Sequence, residues 1–391
     1  MLSITNLLCD QAAGSEDLRY GHTAAAAGAD ATPRPVVVWA ITQACNLRCV
    51  HCYASASAAP APNELSHDEG RALLDDLQTF KVPAVLFSGG EPLVRPDCVD
   101  LIAYARQIGL RCTLSTNGLL IDDAMADRLA EVALQYIGIS LDGTQERHDR
   151  LRGQLGAFDT SLAGINRCVK RGIKVGVRFT IHAMNHQDLE PIFDICLAHG
   201  VQRLCIYHLA YAGRAGHMQK VDLSGPQTRL VMDRIFSRTR QLHAEGHKLE
   251  VLTVANHADA AYLLLHLQAI DWPRAALAQQ RLLGTGGNRS GCNIASIDSV
   301  GCVHYDQFSW HYTCGNIRQS SFSQIWTTAA DERLAILRNR AGHLPPRCQS
   351  CRFLPICNGN LRTRAEAATG NWLGEDPGCY LTNDEITAAV V

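Results

Sequence analysis

Three cysteines in Cys45-Asn46-Leu47-Arg48-Cys49-Val50-His51-Cys52 are spaced C-x3-C-x2-C, directly after the apolar run Val36-Val37-Val38-Trp39-Ala40-Ile41. Iron–sulfur clusters take cysteine thiolates, so three of them hold three irons of a [4Fe–4S] cubane. The fourth iron stays open to a small molecule carrying an amine and a carboxylate, and the methionine end of S-adenosylmethionine offers both. An electron delivered through such a cluster would cleave the sulfonium and release a 5′-deoxyadenosyl radical. That chemistry is the cofactor's, and the protein supplies position and exclusion of side reactions. The spacing fits other uses poorly. Structural zinc normally takes four ligands, a disulfide framework needs an oxidising compartment, and a redox C-x-x-C lacks the first cysteine.

A second group lies near the C-terminus: Cys348, Cys351 and Cys357 in the spacing C-x2-C-x5-C, followed by Cys379. Four thiolates can fully ligate a second [4Fe–4S] cluster, or a zinc ion by spacing alone. Of the remaining cysteines among the sixteen, Cys98, Cys112, Cys168, Cys196 and Cys205 sit in helix or strand patterns and read as small core residues. Cys9 reads as a bystander. Cys292, Cys302 and Cys314 are spare thiols.

The elements that must position these thiols follow from Pro35 onward, where β-branched runs alternate with amphipathic stretches. Strands are expected at Val36–Thr42, Ala84–Ser88, Arg111–Ser115, Tyr136–Leu141, Lys174–Thr180 and Arg203–His208. Helices are expected at Asp68–Phe80, Asp97–Ile108, Asp122–Ala133, Phe158–Arg171 and Asp188–His199. Ser66 with Glu69 three residues on is a capping-box pattern. Six alternations argue for parallel βα units, wound by right-handed crossovers into an open or closed α/β barrel whose chemistry collects at the C-terminal strand ends.

Polar motifs fall at those ends. After the second strand comes Gly89-Gly90-Glu91-Pro92, where glycine lets backbone approach a ligand and a carboxylate accepts from an ammonium. After the third and fourth come Ser115-Thr116-Asn117-Gly118 and Ser140-Leu141-Asp142-Gly143. Such groups suit ribose hydroxyls and the methionine carboxylate, and equally suit plain Asx turns. Arg178 in the fifth strand can pair a carboxylate or face solvent. Tyr207, His208, Tyr211 and Arg214 end the sixth strand, where substrate would sit. Arg214 suits an acidic side chain, and His208 can bind a metal in the substrate or donate a hydrogen bond.

The chain divides into a leader (1–32, Ala-rich around Ala24–Ala31), a barrel core (33–223), a helical connector (224–284) holding a strand at Leu249–Val254, and a C-terminal part (285–391). The last begins with a glycine-rich loop and a hairpin, Ile294–Asp298 with Cys302–Tyr305. His304, Asp306, Trp310, His311 and Tyr312 form a polar-aromatic patch fit for the wall of a large pocket. The 391 residues carry a net charge of −2, which points to neither nucleic acid nor an anionic membrane as partner. No run approaches the ~18 apolar residues of a membrane span, and no signal peptide is visible. A cytoplasmic, oxygen-sensitive metalloprotein is expected.

At Cys45, Cys49 and Cys52, and at the strand-end motifs in their order, the sequence resembles the radical S-adenosylmethionine (radical SAM) superfamily. That implies a partial (β/α)6 TIM-type barrel, with Gly89, Gly90, Glu91, Ser115, Asn117, Ser140, Asp142 and Arg178 around the cofactor. His51 takes a ring position next to the third cysteine and is not expected to be a ligand. Cys348, Cys351, Cys357 and Cys379 resemble SPASM-type extensions, which favours a cluster over zinc. Many such extensions hold two auxiliary clusters and have a cysteine where Asp306 stands, so one auxiliary cluster is expected. Leu7-Leu8-Cys9 with Leu18-Arg19-Tyr20-Gly21, Tyr207–Arg214, His304-x-Asp306-Gln307-Phe308 and Cys357-Asn358-Gly359-Asn360-Leu361-Arg362 resemble, across essentially the whole chain, the radical enzymes of modified-haem biosynthesis, and within them the haem d1 branch. The resemblance implies an iron tetrapyrrole substrate, 12,18-didecarboxysirohaem, losing two propionates with introduction of oxo groups, and a ferredoxin or flavodoxin as electron donor. Tyr207, His208 and Arg214 would be the substrate-side residues. Three alternatives stand beside it: the deacetylase of the alternative haem route, a peptide-modifying SPASM enzyme, and a non-enzymatic electron carrier.

Overall fold

The computed structural model describes residues 1–10, 34–328 and 330–387. Leu18–Gly21 and Ala24–Ala31 lie outside the described residues. Among the described residues eleven strands form one open sheet: β1 (Leu2–Ser3), β2 (Val36–Ala40), β3 (Val85–Ser88), β4 (Cys112–Thr116), β5 (Tyr136–Ser140), β6 (Val175–Ile181), β7 (Arg203–His208), β8 (Glu250–Val254), β9 (Ile294–Ile297), β10 (Cys302–His304) and β11 (Gly315–Asn316). Their spatial order is β1-β8-β7-β6-β5-β4-β3-β2-β9-β10-β11. From β2 to β8 every pairing is parallel.

This is the partial α/β barrel expected from the sequence, and the sheet is not closed. Strands covered on both faces read as continuous apolar runs, and Val37, Trp39, Val85, Phe87, Ile137 and Ile139 are wholly buried. The helices between strands, His67–Thr79, Cys98–Gln107, Asp123–Glu131, Ala157–Lys170 and Leu189–Ala198, cover the outer face. Ser66 and Glu69 close the expected capping box on the first.

The expected pattern of six strands is extended at both edges. β8 continues the parallel run beside β7. Within the stretch expected as a leader, the described residues at its start join the sheet: Leu2 and Ser3 pair antiparallel with Thr253 and Leu252. The short helix Ile4–Cys9 then docks through Thr5, whose hydroxyl accepts from the Val251 amide at 2.9 Å. At the other edge β9 runs parallel to β2 and turns into the β9–β10 hairpin.

The C-terminal part returns to the barrel mouth through Arg364. Its guanidinium makes two bonds to Asp376, at 2.6 and 3.0 Å, and a third to the Leu209 carbonyl at 2.9 Å, just beyond β7. Arg364 and Asp376 are almost wholly buried. Removing one partner of a buried pair leaves an uncompensated charge and costs about 3–5 kcal/mol. Arg364→Met is therefore expected to destabilise by that order, read as a drop in anaerobic unfolding midpoint. Wild-type stability would mean that Asp376 finds another partner.

Among the described residues no helix is long and apolar enough to cross a membrane.

Candidate active site

The three cysteines sit on a loop leaving the C-terminal end of β2. The loop is tied down at both ends. Glu64 accepts from the Gln43 and Ala61 amides at 2.6 and 3.0 Å, and the Cys45 amide donates to the Ser57 carbonyl at 2.7 Å. Each sulfur has a donor: the Leu47 amide to Cys45 at 3.4 Å, the Arg152 guanidinium to Cys49 at 3.6 Å, and the Ala56 amide to Cys52 at 3.5 Å. All sixteen cysteines are free thiols.

The site suits a cluster. Burial, with Glu91 and the other two cysteines adding to it, pushes the Cys45 thiol up to about 12. Thiolate is the form that binds metal, so cluster binding would displace this proton. Among the described residues no three His, Cys, Asp or Glu side chains converge as ligands of one ion, an arrangement that a cubane, with separate irons, does not require.

The glycine motif packs onto this loop. Gly89 has φ 141°, and a Cβ there would lie 2.5 Å from the Thr42 carbonyl oxygen, while one on Gly90 would overlap the Ala44 carbonyl. Neither position admits a side chain without moving the strand end from which the cysteine loop starts. Gly90→Ala is accordingly expected to lower the iron retained after anaerobic reconstitution severalfold. Iron content equal to wild type would show that the loop yields.

Cys45, Cys49, Cys52, Gly89, Gly90, Ser115, Asn117, Ser140, Arg178, Tyr207, His208 and Arg214 all line one cleft. Ser115 accepts from Arg178, whose guanidinium lies 5.4 Å from the Tyr207 ring centre. Asn117 donates to the Asn46 side chain at 2.7 Å, beside Cys45.

Two expected cofactor residues stand behind the cleft instead. Glu91 is 1% exposed, and its carboxylate accepts from the Thr116 hydroxyl (2.7 Å), the Asn117 amide (2.7 Å) and the Leu93 amide (3.1 Å). It is a clasp between the two motifs rather than an acceptor open to an ammonium. Asp142 is wholly buried and is taken by the Thr180 amide (2.9 Å), His51 Nε2 (2.8 Å) and Arg152. Burial opposes its charge, but Arg152 and His51 override this and hold its carboxyl well below the usual range.

Arg214 is also partly spent. Its Nε and Nη1 donate to the Cys49 and Ala56 carbonyls at 2.9 and 2.8 Å, which pins the cysteine loop to the segment after β7, while Nη2 is buried without a partner. His208 Nε2 donates to Asp259 at 3.0 Å, and Tyr380, next to Cys379, donates to the other Asp259 oxygen at 2.8 Å. An ionised carboxylate only accepts, so Nε2 of His208 carries a proton and Nδ1 is left as the acceptor.

Tyr53, Arg152, Thr180, Gln307 and Phe308 also line the cleft. Of these, Arg152, Tyr53 and Thr180 had no sequence signal in the motifs. Asp306 accepts from Ser290 at 2.5 Å and from the Phe308 amide at 2.9 Å. It thereby anchors the turn that presents Gln307 and Phe308. A neighbouring recess shares Tyr53, Ala54 and Phe308 with the cleft and adds Tyr211, Trp310 and His311. Tyr312 stands behind this recess, donating to Glu366, which lines it.

At the C-terminal site the ionisation of Cys348, raised to about 11, is opposed first by burial and then by Cys379 and Cys351. Cys357 is likewise opposed by Cys379 and Cys348. The four thiols thus share one neighbourhood. Cys292 is buried against the Leu337 carbonyl at 3.9 Å, and Cys302 accepts from Asn316 at 3.4 Å.

An open parallel barrel with a three-cysteine loop at the mouth and a cysteine-rich C-terminal part defines a radical enzyme with an auxiliary iron–sulfur domain. The chain belongs to the radical SAM superfamily and carries a C-terminal SPASM domain. A profile described as Radical SAM superfamily matches residues 39–196, and one described as SPASM, an iron–sulfur cluster-binding domain, matches 289–352. Cys357 and Cys379 lie beyond the second match. The chain is 47% identical to the Fe-coproporphyrin III synthase of Methanosarcina barkeri, covering 99% of both chains. It is 42% identical to the pre-heme d1 synthase of Dinoroseobacter shibae, covering 92% of this chain and 89% of that one. Streptococcus suis SuiB bound to S-adenosylmethionine shares the fold at a TM-score of 0.70 and 17% identity, covering 90% of this chain and 78% of that one. The chain is therefore an enzyme that uses S-adenosylmethionine and iron–sulfur clusters, and the electron-carrier alternative falls away.

Proposed function

We propose that this enzyme removes carboxylate side chains from an iron tetrapyrrole. The observation that carries the reading is the sign of the cleft. The cations Arg178 and Arg214 line it, while the acidic groups behind it, Glu91, Asp142 and Asp259, are buried and closed by protein donors. Tyr207, Phe308 and the recess beside Trp310 add aromatic surface. A planar substrate with several carboxylates suits such a wall.

The cluster at Cys45, Cys49 and Cys52, with S-adenosylmethionine, supplies a 5′-deoxyadenosyl radical when bound. Gly89 and Gly90 let backbone close on the methionine end, while Ser115, Asn117, Ser140 and Arg178 offer donors for its carboxylate and ribose. Tyr207, His208 and Arg214 face the substrate. Cys348, Cys351, Cys357 and Cys379 hold one auxiliary [4Fe–4S] cluster, and a ferredoxin or flavodoxin brings the electron.

The resemblance to the haem d1 branch, with the 42% relative named pre-heme d1 synthase, supports the haem d1 reaction, in which 12,18-didecarboxysirohaem loses two propionates and gains oxo groups; no single residue separates it from loss of acetates. A second reading has its own support in the 47% relative, named for Fe-coproporphyrin III, a product that keeps propionates and bears methyls where acetates were. The test is anaerobic turnover of 12,18-didecarboxysirohaem with mass analysis of the tetrapyrrole. Loss of two propionates supports the first reading and loss of two acetates the second. An unchanged tetrapyrrole alongside 5′-deoxyadenosine formation overturns both and returns the peptide-modifying alternative.

A further inference from the structure

We infer that Arg152 sets the reduction potential of the three-cysteine cluster, with Asp142 as the counter-charge that limits it. The inference is independent of which tetrapyrrole is the substrate. Arg152 ends the helix Gln145–Arg152, is 8% exposed, and places Nη1 3.6 Å from the Cys49 sulfur. Its Nη2 pairs with Asp142. The other two sulfurs receive neutral backbone donors, from Leu47 and Ala56. Among the described residues Arg152 is thus the charged donor to this cluster's sulfurs.

Reducing a cluster adds negative charge to its irons and sulfurs. A fixed cation against a ligating sulfur stabilises the reduced form, and in a buried site little solvent screens it. Hydrogen bonds to the sulfurs and net local charge are the protein's levers on such potentials. Asp142 works in the opposite direction. Its carboxylate is held by the Thr180 amide at 2.9 Å and His51 Nε2 at 2.8 Å, so the anion stays beside the guanidinium and offsets part of its field. A buried arginine without such a partner would also be costly to the fold. His51, between the second and third cysteines, links this pair back to the cluster loop. This assigns Asp142 a task its sequence position does not suggest, because its oxygens are already occupied behind the cleft.

The two members of the pair are therefore expected to act with opposite sign. The test is a potentiometric titration of the holoenzyme followed by electron paramagnetic resonance, reading the component whose spectrum changes on adding S-adenosylmethionine. Arg152→Gln should move its midpoint to more negative values and Asp142→Asn to more positive ones. Arg152→Lys, which keeps the charge without the fork, should fall between Arg152→Gln and wild type. The auxiliary component should stay fixed in all three. Midpoints unchanged in the variants, or moved in the same direction by Arg152→Gln and Asp142→Asn, would overturn the inference. If Arg152→Gln fails to take up iron, the signs of Asp142→Asn and Arg152→Lys decide. A raised dissociation constant for S-adenosylmethionine in Asp142→Asn with no shift in midpoint would also overturn it, making Asp142 a cofactor contact.

Discussion

A Cys45/Cys49/Cys52→Ala triple variant is expected to form no 5′-deoxyadenosine from S-adenosylmethionine under strong reduction, while the iron at Cys348, Cys351, Cys357 and Cys379 remains. Only these three thiols line the cleft, and thiolates are the ligands such clusters use. The effect is expected to be total because no nearby side chain can substitute. His51 is committed to Asp142 at 2.8 Å, and Asn46 accepts from Asn117. The loop should survive the change, since its anchors are elsewhere: Glu64 on the Gln43 and Ala61 amides, and Arg214 on the Cys49 and Ala56 carbonyls. A retained auxiliary-cluster spectrum would thus accompany the lost cleavage. Residual 5′-deoxyadenosine at the wild-type rate would move S-adenosylmethionine cleavage to another site and undo the assignment of this one.

The same anchors show what a linear pattern can and cannot carry. Three cysteines at fixed spacing and short β-branched runs are local signals, and β2 to β7 fall within a residue or two of where those runs end. Gly89 and Gly90 show in the sequence by residue type, although what demands them is a distant contact: only a residue without a Cβ fits against the Thr42 and Ala44 carbonyls. The helix Gln145–Arg152 was invisible for a physical reason. Its sequence, Gln-Glu-Arg-His-Asp-Arg-Leu-Arg, has one apolar residue and so no periodic face. It buries His148, Asp149 and Arg152 through polar contacts instead. Glu91 and Asp142 lie on strand-end motifs whose positions were legible. Whether a carboxylate there faces the cleft or clasps a neighbouring turn depends on donors 25 to 38 residues away, at Thr116 and Thr180. Arg214 illustrates the same limit, since its partners Cys49 and Ala56 are 165 and 158 residues away. The N-terminal strand gave no signal either. Two residues pair with β8, and a pairing so short has no period to read.

His208→Ala is expected to separate cofactor cleavage from turnover of the tetrapyrrole: 5′-deoxyadenosine should still form, while product should fall by about 10²–10⁴-fold, the range for a lost general acid or base. The reasoning begins with Asp259. Its two oxygens accept from His208 Nε2 at 3.0 Å and from the Tyr380 hydroxyl at 2.8 Å, and the carboxylate is wholly buried. That fixes the ring and its tautomer, so Nδ1 is the atom available to take or give a proton on a residue that lines the cleft. Asp259→Asn puts an amide behind the ring, which can donate as well as accept, so it should loosen the ring's fixed orientation without removing the imidazole. The expected result for Asp259→Asn is a smaller loss of product with 5′-deoxyadenosine formation retained, whereas a merely structural Asp259 would lower the amount of folded enzyme and reduce both together. Tyr380→Phe, which leaves the His208–Asp259 bond in place, should fall between Asp259→Asn and wild type. Coupled cleavage and turnover in His208→Ala at the wild-type ratio would mean that the proton moves elsewhere, and Tyr207 and the unpartnered Nη2 of Arg214 would be the next residues to change.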